Sequence, residues 1–214
     1  MERDLRAKQA ALNAQKEADE AAASKHLGGR LLSFMVKATD NETPIDYSCS
    51  GLILGAARTQ ILAKIVAYNT SLKSLHLARK GIADKEGQDL ARALFSNKTL
   101  RKMELEGNQL SFMTARVFAL ALQKNKTLQF LDLESNDLSH EGQKKEGIEA
   151  MIRALETNTT LLSLNVANNG LEAEIGRQFR DMLKVNKTLI DFEFSSNFFN
   201  IEDVSFKSLL FGPG

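Results

Sequence analysis

Cysteine is almost missing from this chain. A single thiol, Cys49, among 214 residues excludes an internal disulfide framework and a Cys-rich zinc site. Histidine is scarce as well: His26, His76 and His140 lie at no metal-ligand spacing to a carboxylate cluster. Charge of one sign is not in excess, because 28 Lys and Arg against 27 Asp and Glu leave a net charge of +1. A generic nucleic-acid binder needs clustered surplus cations to neutralise phosphates. Long apolar runs are lacking too. The stretches 51–57 and 117–122 fall far below the roughly 18–20 residues that span a bilayer. The opening MERDLRAKQAALNAQKEADE has charge but no apolar core, so no secretory signal is expected. No phosphate-binding glycine loop and no nucleophile–base–orienter set can be assembled. These absences predict a soluble cytoplasmic protein that is not an enzyme. They predict no cofactor, metal, nucleic acid, membrane or small-molecule substrate.

What the chain does contain is repetition. Asn69, Asn97, Asn125, Asn158 and Asn186 open the phrases NTSLKSLHL, NKTLRKMEL, NKTLQFLDL, NTTLLSLNV and NKTLIDFEF, at spacings of 28, 28, 33 and 28 residues. A worn copy, NETPIDYSC, begins 28 residues earlier at Asn41. Six units with one five-residue insertion account for residues 41–213. Within a unit, Leu100, Met103, Leu105, Asn108 and Leu110 follow L-x-x-L-x-L-x-x-N-x-L, whose centre alternates as a short strand does. A helix follows, with inward residues seven, four and three places before the next Asn. These are Leu90/Ala93/Leu94, Phe118/Ala121/Leu122, Met151/Ala154/Leu155 and Phe179/Met182/Leu183, the i, i+3, i+4 spacing of one buried face. A lone strand–helix unit cannot cover both apolar faces, whereas stacked neighbours can.

These residues resemble the leucine-rich repeat family, in its long, ribonuclease-inhibitor-like class. The resemblance implies an α/β solenoid with parallel strands on the concave face and helices on the convex face, preceded by an N-terminal helical arm. Curvature follows from strands spaced at ~4.8 Å backed by helices that need ~8–10 Å. The expected division is an arm over residues 1–30 and a repeat domain over 31–214. That domain has a degenerate capping repeat at 41–68 and repeats starting at 69, 97, 125, 158 and 186.

Departures from the repeat pattern carry further expectations. Lys80 stands where the first clear repeat should have Asn, so a buried Asn ladder is expected to start at Asn108. It should run through Asn136, Asn169 (or Asn168) and Asn197. Pro44, Tyr47 and Cys49 replace three leucines in the worn copy, and a proline without a ladder donor suits an edge strand. Cys49, at an inward strand position, reads as a buried, inert thiol. The last unit is rich in phenylalanine: Phe192, Phe194, Phe198, Phe199, Phe206 and Phe211. Each repeat opens as N-x-[ST], a nominal glycosylation sequon. The better reading is that Asn just past a helix tolerates the left-handed conformation that ends it.

Residues between the inward leucines point outward from the strands. One outward column reads His76, Glu104, Asp132, Asn165, Glu193, and the next Ala78, Glu106, Glu134, Ala167, Ser195. Glu104, Glu106, Asp132 and Glu134, with Glu193 beyond them, form an acidic patch suited to a basic partner surface. A solvated, screened face is the alternative. The insertion in SHEGQKKEG follows Leu138 and is expected on one rim of the solenoid.

Residues 1–26 lack Gly and Pro and should be strongly helical. Ala7, Ala11, Ala14, Ala18 and Ala21 form a stripe of period near 3.5, fit for close approach by another helix. Gly28-Gly29 should end that helix, and Leu31, Leu32, Phe34, Met35 and Val36 should start a buried cap. The phrase NKTL-x-x-L-x-L-x-x-N resembles repeats of tropomodulin-like actin caps and of leucine-rich axonemal subunits. That resemblance implies a non-catalytic scaffold in a cytoskeletal or ciliary complex. Its protein partners would contact the concave face and the N-terminal helix. The alternative is a regulator of an enzyme, inhibitor-like or GTPase-activator-like, holding a basic partner on the acidic face.

Overall fold

The computed structural model describes residues 29–41, 46–48 and 54–198. Twelve elements alternate along the described chain. They are α1 (Gly29–Thr39), β1 (Asp46–Ser48), α2 (Gly55–Tyr68), β2 (Ser74–His76), α3 (Asp84–Ala93) and β3 (Lys102–Glu104). Then follow α4 (Phe112–Lys124), β4 (Phe130–Asp132), α5 (Glu146–Thr157), β5 (Ser163–Asn165), α6 (Ala173–Val185) and β6 (Asp191–Glu193). The strands form one parallel sheet in sequence order, β1 through β6. Their central residues stay in register: Tyr47, Leu75, Met103, Leu131, Leu164 and Phe192. Each helix is a crossover that returns the chain to the neighbouring strand position, which is what a solenoid requires.

The expected inward positions form one continuous core. Leu75, Met103, Leu131 and Leu164 lie against Leu90, Leu94, Phe118, Leu122, Met151, Leu155, Phe179 and Met182, all buried. Burying each such side chain contributes about 1.5–3 kcal/mol. Leu183 and Phe192 are only partly covered, as befits the end of the described stack. There Phe192 lies 4.8 Å from Phe179 and 5.0 Å from Phe194, ring centre to ring centre.

β1 lies at the sheet edge, in keeping with the worn first copy; Pro44 and Cys49 fall outside the described residues. One expectation for the cap is corrected: Val36 is exposed, while Phe34, Met35 and Ala38 are buried. The described residues begin with α1 at Gly29, so the helix expected to end at Gly28-Gly29 lies outside them. The i, i+1, i+4 set of buried residues aims one helix face at α2, and Val36 falls on the other side. Ala7, Ala11, Ala14, Ala18, Phe199, Phe206 and Phe211 also lie outside the described residues.

Two asparagine ladders stitch the repeats together. The expected one is present. Asn108 Nδ2 donates to the carbonyls of Leu77 and Leu105, and its Oδ1 accepts from the amides of Lys80 and Ile82. Asn136, Asn169 and Asn197 repeat the arrangement. The ambiguity resolves in favour of Asn169, because Asn168 is exposed, sits at φ 51° and donates to Ser135 Oγ instead.

The second ladder consists of the repeat-opening asparagines, and here the left-handed reading is overturned. Asn69, Asn125, Asn158 and Asn186 follow their helices in extended conformation, with φ between −74° and −65°. Only Asn41 of the worn copy is left-handed, at φ 60°. The others are buried because their amides reach back one repeat. Asn97 Nδ2 donates to the carbonyls of Val66 and Asn69, and its Oδ1 accepts from the amides of Thr99 and Leu100. Left-handed backbone falls elsewhere, at an equivalent position just past each of β2–β6 (Arg79, Gly107, Ser135, Asn168 and Ser196), with Gly81 and Gly170 following two residues later in their repeats.

The insertion occupies the rim between β4 and α5. His140, Glu141 and Gly142 are successive left-handed residues, an arrangement that costs non-glycine residues about 1–2 kcal/mol each. Ser139 Oγ holds the loop by donating to the carbonyls of Asn169 and Gly170. Lys145 Nζ lies 2.8 Å from Glu172 and 2.9 Å from Glu174. Its ammonium is held above the ordinary lysine range by those two carboxylates. Gly147 is required: a Cβ there would lie 2.1 Å from the backbone oxygen of Phe112.

Candidate functional site on the concave face

The register that builds the sheet also lines up its outward side chains. Ser74, Lys102, Phe130, Ser163 and Asp191 share one column; His76, Glu104, Asp132, Asn165 and Glu193 share the next. A third column contains Glu106 and Glu134, whose carbonyls accept from Arg79 and Gly107 across neighbouring strands. Glu104, Glu106, Asp132 and Glu134 are therefore adjacent, and Glu193 closes the second column two strands from Asp132.

The carboxylates differ in their partners. Glu104 pairs with His76 Nδ1 and with Lys102, whose Nζ is 2.5 Å away. Glu106 takes Arg79 Nη2 at 2.6 Å, and this hydrogen-bonded pair lifts the guanidinium above its ordinary range. Glu134 accepts from Asn165 Nδ2 at 2.8 Å, and Asp132 Oδ1 accepts from the Glu134 amide at 2.9 Å. Asp132, Glu134 and Glu193 make no ion pair among the described residues. Burial, aided by the charges of Glu134 and Glu106, pushes the Asp132 carboxyl above its usual range, against the pull of its hydrogen bonds. Glu193 moves the opposite way, held down by the Ser195 backbone amide and hydroxyl. The patch is thus neutralised at its N-terminal side and uncompensated towards β4–β6.

That uncompensated side is a groove of about 300 Å³ whose lining includes Lys102, Phe130, Asp132, Asn165, Asp191 and Glu193. The first column, with Phe130 and Asp191, was missed by considering only the positions flanking the second inward leucine. The same alternation, read one step earlier along each strand, places these residues outward too. No group of three or more His, Cys, Asp or Glu among the described residues is placed to hold a metal. No described helix is long and apolar enough to cross a membrane. What the geometry offers is a charged, grooved concave surface.

The Leucine Rich repeat family model matches residues 124–145 and 157–178, two windows that each hold both ladder asparagines and a strand. The chain has the α/β solenoid fold of leucine-rich repeat proteins and tropomodulin-like similarity. Among solved structures, one described as Leiomodin-1 Actin-Binding Site 2 is 15% identical, with 86% of this chain and 89% of that one covered at a TM-score of 0.55. The tropomodulin C-terminal domain of Caenorhabditis elegans is also 15% identical, with 74% of this chain and 93% of that one covered at a TM-score of 0.62. At that identity the likeness is one of fold. No curated protein sequence matches.

Proposed function

We propose that this chain is a non-catalytic protein–protein interaction scaffold of a cytoskeletal assembly, with the ciliary axoneme as its narrower setting. Its concave face takes a basic protein surface through Asp132, Glu134 and Glu193, with Glu104 and Glu106 alongside. The N-terminal segment bearing Ala7, Ala11, Ala14 and Ala18 is a second attachment. The carrying observation is the set of concave carboxylates that the repeat register aligns and that no cation of the described chain neutralises. The like charges of Glu134 and Glu106 act on Asp132, and repulsion of this kind costs a few tenths of a kcal/mol to about 1 kcal/mol, which a basic partner relieves. The cytoskeletal setting is supported by the resemblance of the repeats to tropomodulin-like caps and by an actin-binding site among the structural neighbours.

The test is co-sedimentation with purified actin filaments and with isolated axonemes. Three proteins are compared: the full chain, a form lacking residues 1–30, and Asp132→Lys/Glu134→Lys. Sedimentation lost on charge reversal supports the concave face, and loss on deletion supports the arm. If neither variant changes it, the site assignment fails. Inhibition of a basic enzyme that survives deletion but not reversal would replace the scaffold reading with the regulator reading.

A further inference from the structure

Three successive helix-to-strand connections cross the rim where the strands begin. The connections 69–73, 94–101 and 125–129 hold Lys73, Lys98, Arg101 and Lys126 and no carboxylate. Backbone hydrogen bonds set these connections side by side: the Arg101 amide donates to the Lys73 carbonyl, and the Gln129 amide to the Arg101 carbonyl. The second asparagine ladder does the same one turn away, tying Asn125 to Asn97, so Lys98 and Lys126 are neighbours. Lys98, Arg101 and Lys126 are exposed and make no ion pair among the described residues. Phe130 is 40% exposed and adjoins Arg101, to whose carbonyl its amide donates.

Compensation of the helix C-terminal dipoles does not account for this distribution. The next connection, 158–162 after α5, ends an equally regular helix yet carries no cation. Lys187, after α6, is used internally, its Nζ donating to the Lys184 carbonyl at 2.6 Å. Among the described helix-to-strand connections, the exposed cations whose side chains make no hydrogen bond or ion pair are Lys98, Arg101 and Lys126, on two adjacent connections. The half-buried Lys73 lies on the connection before, and the exposed ring of Phe130 lies beside them.

We infer that this rim is a second interaction surface, bordering the concave groove at Phe130, that takes an acidic protein segment with an apolar side chain seated on Phe130. Exposed arginine and an aromatic anchor are the residue types that carry binding energy at protein interfaces. A long polyanion suits the surface poorly, because Glu104 and Asp132 lie one column inside Lys102 and Phe130 and repel a phosphate backbone laid across them. The rim stands whether or not the concave face binds a basic partner.

The experiment uses the full chain and a fluorescent peptide of alternating Glu-Asp pairs and single Phe residues, read by anisotropy. A single-stranded DNA oligomer and vesicles of phosphatidylcholine with 30% phosphatidylserine are the competing probes. The peptide should bind, weaken with salt, and lose about tenfold in affinity in Lys98→Glu/Arg101→Glu/Lys126→Glu, the combined effect of three exposed charge pairs. Phe130→Ala should also weaken it, while Asp132→Lys/Glu134→Lys should not. Circular dichroism confirms that each variant is folded. Peptide binding that is absent, or unchanged in the triple variant, overturns the inference. Tighter lysine-dependent binding of DNA or vesicles overturns it in favour of a phosphate surface.

Discussion

Asn125 is the position where the second ladder can be tested most sharply. Its Nδ2 donates to the carbonyls of Leu94 at 2.8 Å and Asn97 at 3.0 Å. Its Oδ1 accepts from the Thr127 amide at 2.8 Å, the Thr127 hydroxyl at 3.1 Å and the Leu128 amide at 2.7 Å. The residue is 1% exposed, so water cannot replace these partners without opening the interface between repeats. Asn125→Ala strands two carbonyls and two amides. With two of them left dry at about 1–3 kcal/mol each, the expected loss is about 2–6 kcal/mol. That is a large part of a typical domain's total of about 5–15 kcal/mol. Urea unfolding followed by far-UV circular dichroism measures it, with the exposed neighbour Lys126→Ala as a control expected within about 0.5 kcal/mol of the parent. Because the lost bonds join consecutive repeats, the urea slope should fall as the stack unfolds less cooperatively. Asn125→Asp sharpens the test. A protonated carboxyl can still donate to one of the carbonyls of Leu94 and Asn97, but an ionised one repels both, so the folded pKa of the introduced group is raised. Its penalty is therefore smaller below about pH 4, the unfolded value, and reaches its full size once pH exceeds the raised folded value. An Asn125→Ala loss under about 1 kcal/mol, or an Asn125→Asp penalty that ignores pH, refutes the bridging role.

Three further outcomes follow from individual side chains. Asp84, in the first turn of α3, accepts through Oδ1 from the Ser111 and Thr114 amides and the Thr114 hydroxyl of the next repeat. Burial raises its carboxyl, but these bonds together outweigh it and hold it below the usual range. Asp84→Ala should therefore cost about 2 kcal/mol at pH 7. The difference from the parent should vanish as pH falls through the lowered folded value, read from urea midpoints between pH 7 and pH 3. Asp132 has the opposite sign, its folded carboxyl being raised. Asp132→Asn should stabilise by a few tenths of a kcal/mol at pH 7, with the gain disappearing below about pH 4 in the same measurement. Glu141, exposed and at φ 53°, should gain stability on replacement by glycine, raising the melting temperature by about 2 °C; scanning calorimetry would show this.

The aligned columns of the concave face were legible because a 28-residue period places equivalent side chains on adjacent strands. His76, Glu104, Asp132, Asn165 and Glu193 emerge from spacing alone and are in register. Their electrostatics were not legible. Lys102 and Glu104 lie on the same strand two residues apart, and Arg79 occupies a left-handed corner facing Glu106. Pairing of that kind depends on rotamers and backbone direction, which a column of letters does not encode. The roles of the repeat-opening asparagines were hidden for the same reason. A position just past a helix fits local left-handed capping and distant bridging equally well in sequence, and only the extended backbone distinguishes them.

By itself the sequence determined the unit, its count, the inward positions of strand and helix, and the first asparagine ladder, because these depend on period and polarity. Tertiary structure decided how the units are joined. The helix ends of one repeat come close enough to the next for Asn97, Asn125, Asn158 and Asn186 to donate across the gap. It also decided the charge pattern that a partner meets. Lysines scattered over three repeats become one rim, and half of the acidic patch is neutralised by neighbours brought alongside it. Both results come from placing residues about 28 positions apart within hydrogen-bonding distance. Local sequence constrains such contacts only through the stacking that brings them together.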